Sequence, residues 1–200
     1  MTKSSSLPPG STIGIVGGGQ LGRMTALAAA RLGYRCRIFT PETDSPAEQV
    51  ADAATVASYE DAAALDAFAG AVDVITFEFE NIPAASVQRM AERKPVRPKP
   101  EILRVAQDRI LEKTFVNRLG IATAPWRDVK DAEALAAAVA AIGLPAVLKT
   151  ARMGYDGKGQ TKIMPGDDLA AAWRALRADA GVLESFIDLE REISVIVARG

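Results

Sequence analysis

Along the first hundred residues, short apolar runs alternate with alanine-rich stretches of helical spacing. Thr12 to Val16 reads as a buried strand, Leu21 to Leu32 as a helix closed by Gly33, and Tyr34 to Phe39 as a second strand. Thr55-Val56, Val72 to Phe77 and Pro95 to Arg97 are later strands of the same kind. Continuous apolar strands joined by helical crossovers predict a parallel sheet in an open, doubly wound α/β domain. Pro98-Lys99-Pro100 ends that pattern, and Pro100 suits the first turn of a helix running to Leu119. In that helix Leu103, Ala106 and Ile110 take core spacing, while Arg109 and Lys113, four apart, share another flank.

A different order follows. After a linker through Pro125-Trp126 come an alanine-rich helix from Asp131 to Ile142 and the apolar strand Leu144-Pro145-Ala146-Val147-Leu148, which ends on Lys149. A glycine-rich turn then leads to a return strand over Thr161 to Met164, a helix from Asp167 to Ala178, and strands at Val182 to Ile187 and Arg191 to Val195. The second half is therefore an α+β module with an antiparallel pair across the glycine turn. The expected domains are a disordered tail over residues 1–11, an α/β domain over 12–99, and a second unit over 100–200.

Composition narrows the chemistry. With 48% apolar and 24% charged residues in 200, the chain is globular and buries a real core. A net charge of −1 provides no global field for nucleic acid or an anionic membrane, so phosphate chemistry must be local. The absence of histidine removes Ser-His-Asp and Cys-His catalysis and His-based zinc sites, which leaves carboxylates, lysine and tyrosine for proton transfer and a hard cation as the expected metal. The single cysteine, Cys36, fits a reducing cytoplasm. The apolar run Ala134 to Leu148 is broken by Gly143 and Pro145 and is shorter than the roughly 20 residues a membrane span needs. Neither nucleic acid nor membrane is an expected partner.

Two glycine motifs compete for a phosphate. Gly17-Gly18-Gly19-Gln20-Leu21-Gly22 follows a strand, opens a helix and satisfies the dinucleotide fingerprint, with Glu42 about 20 residues on as a ribose-binding acid. The reading preferred here is that this helix N-terminus receives another phosphate, such as a nucleotide-like substrate. The dinucleotide reading, that of an NAD-dependent oxidoreductase, stays open beside it. In Gly154 to Gln160, the glycines allow positive φ and close amide donors, and Lys149 and Lys158 supply charge. By period-two alternation Lys149 shares a face with Val147, so its stem is covered and its ammonium turned inward, where it needs an anion. A surface hairpin with solvated lysines is the plainer alternative. Glu184 and Glu192, each inside an apolar strand, face solvent by default, yet beside the lysines they suit ribose hydroxyls. Glu78 ends a strand of the first domain, where ligands of open α/β sheets lie.

Taken together, Gly17 to Met24, Phe77-Glu78-Phe79-Glu80-Asn81-Ile82-Pro83, Gln107-Asp108-Arg109, Ala124-Pro125-Trp126, Gly154-Tyr155-Asp156-Gly157-Lys158-Gly159-Gln160 and Glu190 to Ser194 resemble the 5-(carboxyamino)imidazole ribonucleotide synthases, or PurK family, of the ATP-grasp superfamily. The resemblance implies a Rossmann-like pre-ATP-grasp α/β domain followed by the first part of an ATP-grasp α+β fold, with a lid subdomain over about 121–187. It implies ATP contacts at Arg109, Lys149, Gly154, Tyr155, Asp156, Gly157, Lys158, Gly159, Gln160, Glu184, Ser185, Phe186, Ile187 and Glu192. Aminoimidazole ribonucleotide falls to Gln20, Leu21, Glu78 and Tyr155, and the bicarbonate step to Tyr155, Asp156 and Lys158. The implied cofactors are ATP and Mg²⁺, and the implied assembly is a cytoplasmic homodimer.

Family members continue beyond the point matching Gly200, into the half that carries the Mg²⁺ ligands. The expectation is therefore no metal ligand in this chain, no turnover by these 200 residues alone, and an open sheet edge at their end. Another ATP-grasp carboxylase or ligase, or a non-catalytic nucleotide-binding module, are the neighbouring readings.

Overall fold

Four parallel strands form the first sheet: β1 (Thr12–Val16), β2 (Arg35–Thr40), β3 (Ala53–Val56) and β4 (Val74–Phe77), in the order β3-β2-β1-β4. They belong to a computed structural model that describes residues 6–154 and 158–197 and divides into two compact units, Met1–Arg104 and Val105–Gly200. Helix α1 (Gln20–Arg31) crosses between β1 and β2; α2 (Ala62–Gly70) and α3 (Ala84–Ala91) flank β4 in sequence. Alternation along the strands splits them between two cores, as a doubly wound sheet requires. Ile15 and Ile38 are fully buried with Ala26 and Ala29 of α1, whereas Val16 and Phe39 are fully buried with Leu65, Phe68, Val87 and Met90 of α2 and α3. Each large side chain so buried contributes about 1.5–3 kcal/mol.

Helix boundaries follow local chemistry. Asp61 caps α2 by accepting from the amides of Ala63 and Ala64. Gly33, at φ +81°, takes the left-handed turn that ends α1. Between α2 and α3, Asp66 accepts paired hydrogen bonds from both Arg89 and Arg93 at 2.7–2.9 Å, which holds its carboxyl at about 2, below the usual range.

Three sequence expectations change here. The strand at Pro95 to Arg97 reduces to a single parallel bridge between Val96 and Ile75. The tail expected to be disordered over 1–11 is tied down in its described part, because Tyr34 donates to the carbonyl of Leu7 and the amide of Gly10 to that of Gly33. The helix expected from Pro100 to Leu119 is two helices, α4 (Pro100–Ala106) and α5 (Arg109–Arg118). Asp108 adopts an extended conformation and caps α5 by accepting from Ile110 and Leu111, so the helix restarts. Leu103 is buried as expected, but Ala106 is exposed and Gln107 buried.

In the second unit β5 (Trp126–Val129), β6 (Ala146–Thr150), β7 (Gln160–Ile163) and β8 (Gly181–Ser185) pair antiparallel in the order β5-β8-β6-β7. One face carries Ala146, Leu148, Ile163 and Leu183 into a core with α6 (Ala132–Ile142) and α7 (Leu169–Leu176). The opposite face carries Val147, Lys149, Val182 and Glu184, set by the register Val147↔Glu184 and Lys149↔Val182. The strand expected over Arg191 to Val195 does not form; Ile193 is 81% and Ile196 97% exposed. Apolar alternation without a partner strand makes no ladder, and β8 already has neighbours on both sides. No helix among the described residues is long and apolar enough to cross a membrane.

Candidate functional site

Helix α5 lays a polar stripe along the second sheet. Arg109, Lys113 and Asn117 stand four apart and therefore on one side of the helix. Arg109 donates from Nη2 to the carbonyl of Gly154 at 3.1 Å, and its amide to that of Ala151 at 2.8 Å. Lys113 Nζ lies 3.1 Å from Glu184 Oε1 on β8, and Asn117 Oδ1 accepts from the indole N–H of Trp126 on β5 at 2.8 Å.

Glu184 is thereby shared. Its other oxygen, Oε2, accepts from Lys149 Nζ at 2.9 Å, and the three charged side chains are between 10% and 24% exposed. The solvent-facing default for Glu184 is wrong, because two ammonium groups meet it on the covered face of the sheet. Burial alone pushes this carboxyl up, but the hydrogen bonds and charges of Lys149 and then Lys113 outweigh it and hold the group below its ordinary value. The cluster carries one surplus positive charge. Inward-turned Lys149 is thus found, with a protein carboxylate in the anion's place.

The glycine loop after β6 opens beside this cluster. Its stem is fixed by the amide of Thr150 donating to Gly159 at 2.7 Å, with Gly159 at φ +70° and Met153 at +61°. Cβ atoms added at Gly154 or Gly159 would come within 2.8 and 2.7 Å of Thr150 Oγ1. That hydroxyl is buried with no hydrogen-bond partner among the described residues. Gly154, Lys158, Gly159 and Gln160 border the loop; Tyr155, Asp156 and Gly157, all expected at ATP and the first two also in the bicarbonate step, lie outside the described residues. Ser185 continues β8, and Phe186 and Ile187 follow it half-exposed, with Lys162 Nζ 3.8 Å from the centre of the Phe186 ring. Glu192 is not brought to this site but sits in the exposed coil after Leu189.

In the first unit the loop Gly17 to Gly19 closes on a carboxylate. Glu78 Oε1 accepts from the amide of Gly19 at 2.8 Å, and a Cβ at Gly17, whose φ is +113°, would stand 2.6 Å from the same oxygen. A Cβ at Gly18 would stand 2.5 Å from Ser45 Oγ, which is buried without a hydrogen-bond partner among the described residues. Nearby Tyr59 has its phenol pushed up to about 12 by burial and by the charges of Glu78 and then Glu42, against a hydrogen bond with Thr40 that lowers it. Gln20 and Leu21 are exposed in the first turn of α1. The amide that a dinucleotide pyrophosphate would use is occupied by a negative group, which counts against the fingerprint reading.

Sequence reasoning missed Lys113, Thr150, Ser45 and Tyr59 as members of these clusters. Lys113 had a signal, its four-residue spacing from Arg109. The others lie at strand ends and in loops, where periodicity carries no information.

Residues 11–107 match a ribonucleotide synthetase pre-ATP-grasp domain, and residues 114–200 an ATP-grasp domain. The chain is 51% identical over 98% of its length to the N5-carboxyaminoimidazole ribonucleotide synthase of Brucella melitensis, of which it covers 54%. An ADP complex of purK, N5-carboxyaminoimidazole ribonucleotide synthetase, superposes with a TM-score of 0.87 at 40% identity, covering 92% of this chain and 49% of that one. The Aspergillus clavatus N5-carboxyaminoimidazole synthase in complex with ADP and 5-aminoimidazole ribonucleotide superposes at 0.79 and 26% identity, over 88% of this chain and 46% of its own. The chain spans about half the length of the relatives it matches.

Proposed function

We propose that this chain forms part of an N5-carboxyaminoimidazole ribonucleotide synthase, in which ATP drives the carboxylation of 5-aminoimidazole ribonucleotide by bicarbonate. The observation that carries the reading is the Lys149-Glu184-Lys113 cluster beside the glycine loop, in a fold that matches an ADP-bound synthetase. A bicarbonate oxygen attacks the γ-phosphorus and ADP leaves. Carbon dioxide released from carboxyphosphate then joins the exocyclic amine, with phosphate and a proton as the other products.

In this reading Arg109, Lys149 and the loop from Gly154 through Lys158 to Gln160 hold the polyphosphate. The stretch Glu184 to Ile187 borders the adenosine. Tyr155, Asp156 and Lys158 act near bicarbonate. Gln20, Leu21 and Glu78 address the ribonucleotide; because Glu78 is anionic and already binds the Gly19 amide, it suits the amine end of that ligand rather than its phosphate. The glycine loop doubles as a lid that keeps water from carboxyphosphate. Mg²⁺ accompanies the polyphosphate; among the described residues no group of three or more candidate ligands exists, so no protein ligand is assigned to it. The domain limits 12–99 and 100–200, a lid over about 121–187, a homodimer and a cytoplasmic location belong to the same proposal.

The test is ADP release by the protein as it occurs in its source. ADP is expected only when bicarbonate and 5-aminoimidazole ribonucleotide are both present, with the N-carboxylated product formed in equal amount. ADP release indifferent to the ribonucleotide removes this substrate and leaves another ATP-grasp ligase.

A further inference from the structure

Glu184 has two ammonium partners where one would neutralise it, and they are not equivalent. Lys149 extends from β6 beside the stem of the glycine loop and is 24% exposed, whereas Lys113 comes from α5 and is 14% exposed. Each lysine holds a different carboxylate oxygen. Should Lys149 turn to an incoming polyphosphate, Glu184 loses one of these bonds. A carboxylate with a tenth of its side chain exposed and no cation left would bind a proton or resist the move.

We propose that Lys113 is a positioning residue for nucleotide binding: it keeps Glu184 ionised and fixed through Oε1, so that Lys149 can release Oε2 and transfer to the nucleotide's phosphates. This rests on the reading of Lys149 as a phosphate ligand. Among the described residues, no other element supplies Glu184 with a substitute. On β7 the like-faced Lys162 is engaged over Phe186, β5 places Trp126 opposite Glu184, and Arg109 on α5 is bound to Gly154. On the far face, α6 packs against the apolar side of β8. Asn117 continues the α5 stripe and, through Trp126, holds the helix in the register that aims Lys113 at Glu184.

The experiment is calorimetric titration of the protein, as it occurs in its source, with ADP at pH 7.5 in two buffers of different ionisation enthalpy, which counts protons taken up on binding. Lys113→Met is expected to weaken ADP binding by about tenfold and to add uptake of about one proton relative to wild type, because Glu184 must protonate when Lys149 leaves it. Lys113→Arg restores both values to those of wild type. In a Glu184→Gln background the group that needs holding is neutral, so Lys113→Met is expected to change affinity by less than about twofold with no added proton. That pair of variants decides the matter even if Lys113→Met alone fails to fold, since a loss of tenfold or more in the Glu184→Gln background overturns the inference. Wild-type affinity and proton count in a folded Lys113→Met protein also overturn it while leaving the nucleotide reading intact. A wild-type protein that does not bind ADP removes both.

Discussion

The two glycine loops are alike in composition and opposite in construction. At Gly17 to Gly19 the missing side chains make room for groups of the protein itself: Glu78 fills the space over Gly17 and Gly19, and Ser45 and Thr40 that over Gly18. The loop is therefore assembled before any ligand arrives. At Gly154 and Gly159 the near neighbours are Thr150 Oγ1, which has no hydrogen bond among the described residues, the carbonyl of Lys158 and the guanidinium of Arg109. Glycine in the first loop makes room for side chains from distant parts of the chain, and at Gly154 and Gly159 for the Thr150 side chain at the loop's own stem. A glycine pattern alone does not distinguish these uses; the neighbours do.

Breaking the first loop has the largest expected effect. Gly17→Ala combines a positive φ with a Cβ 2.6 Å from Glu78 Oε1, and is expected to destabilise the first unit by about 2–4 kcal/mol in chemical denaturation. An intermediate effect is expected in the second loop, where Gly159→Ala at φ +70° meets the Thr150 side chain first and costs about 1–2 kcal/mol. Adding Thr150→Ala is expected to recover part of that loss. Additive losses in the double variant would show that φ alone sets the cost and would blur the contrast between the loops.

The smallest effect is electrostatic and separates the two units by pH. Asp66 has its carboxyl lowered from 3.8 to about 2, so the stability it contributes is complete above about pH 4 and is lost as pH falls toward 2. Glu184 is also lowered, from 4.5, and its contribution is likewise present above that value and lost in acid. Acid unfolding followed by Trp126 and Trp173 fluorescence, both in the second unit, is expected to flatten below about pH 4.5 in Glu184→Gln but not in Asp66→Asn.

Much of this was visible in the residues. The alternation of buried strands with Ala-rich helices specified a parallel doubly wound sheet because the central strands β1 and β2 bury both faces, as Ile15 and Val16 do in different cores. The inward turn of Lys149 followed from period two alone. What the pattern could not show was set by single polar groups. Asp108 splits one apparent helix into α4 and α5, and Lys113 finds Glu184 across 71 positions of sequence, a pairing that no local spacing encodes. The apolar run near Val195 failed as a strand for the complementary reason, since strand propensity is realised only against a partner.

The polar stripe of α5 has a mechanical consequence. Arg109, Lys113 and Asn117 grip the glycine loop, the Glu184 strand and the edge strand carrying Trp126, like three pins on one rod. A rod so pinned cannot roll at one position without rolling at all of them. One residue inserted after Arg109 would turn Lys113 and Asn117 by about 100° and disengage both together. Loop position and carboxylate charge are thus geared to a single rotation angle, and a hold on either end of α5 is felt at the other.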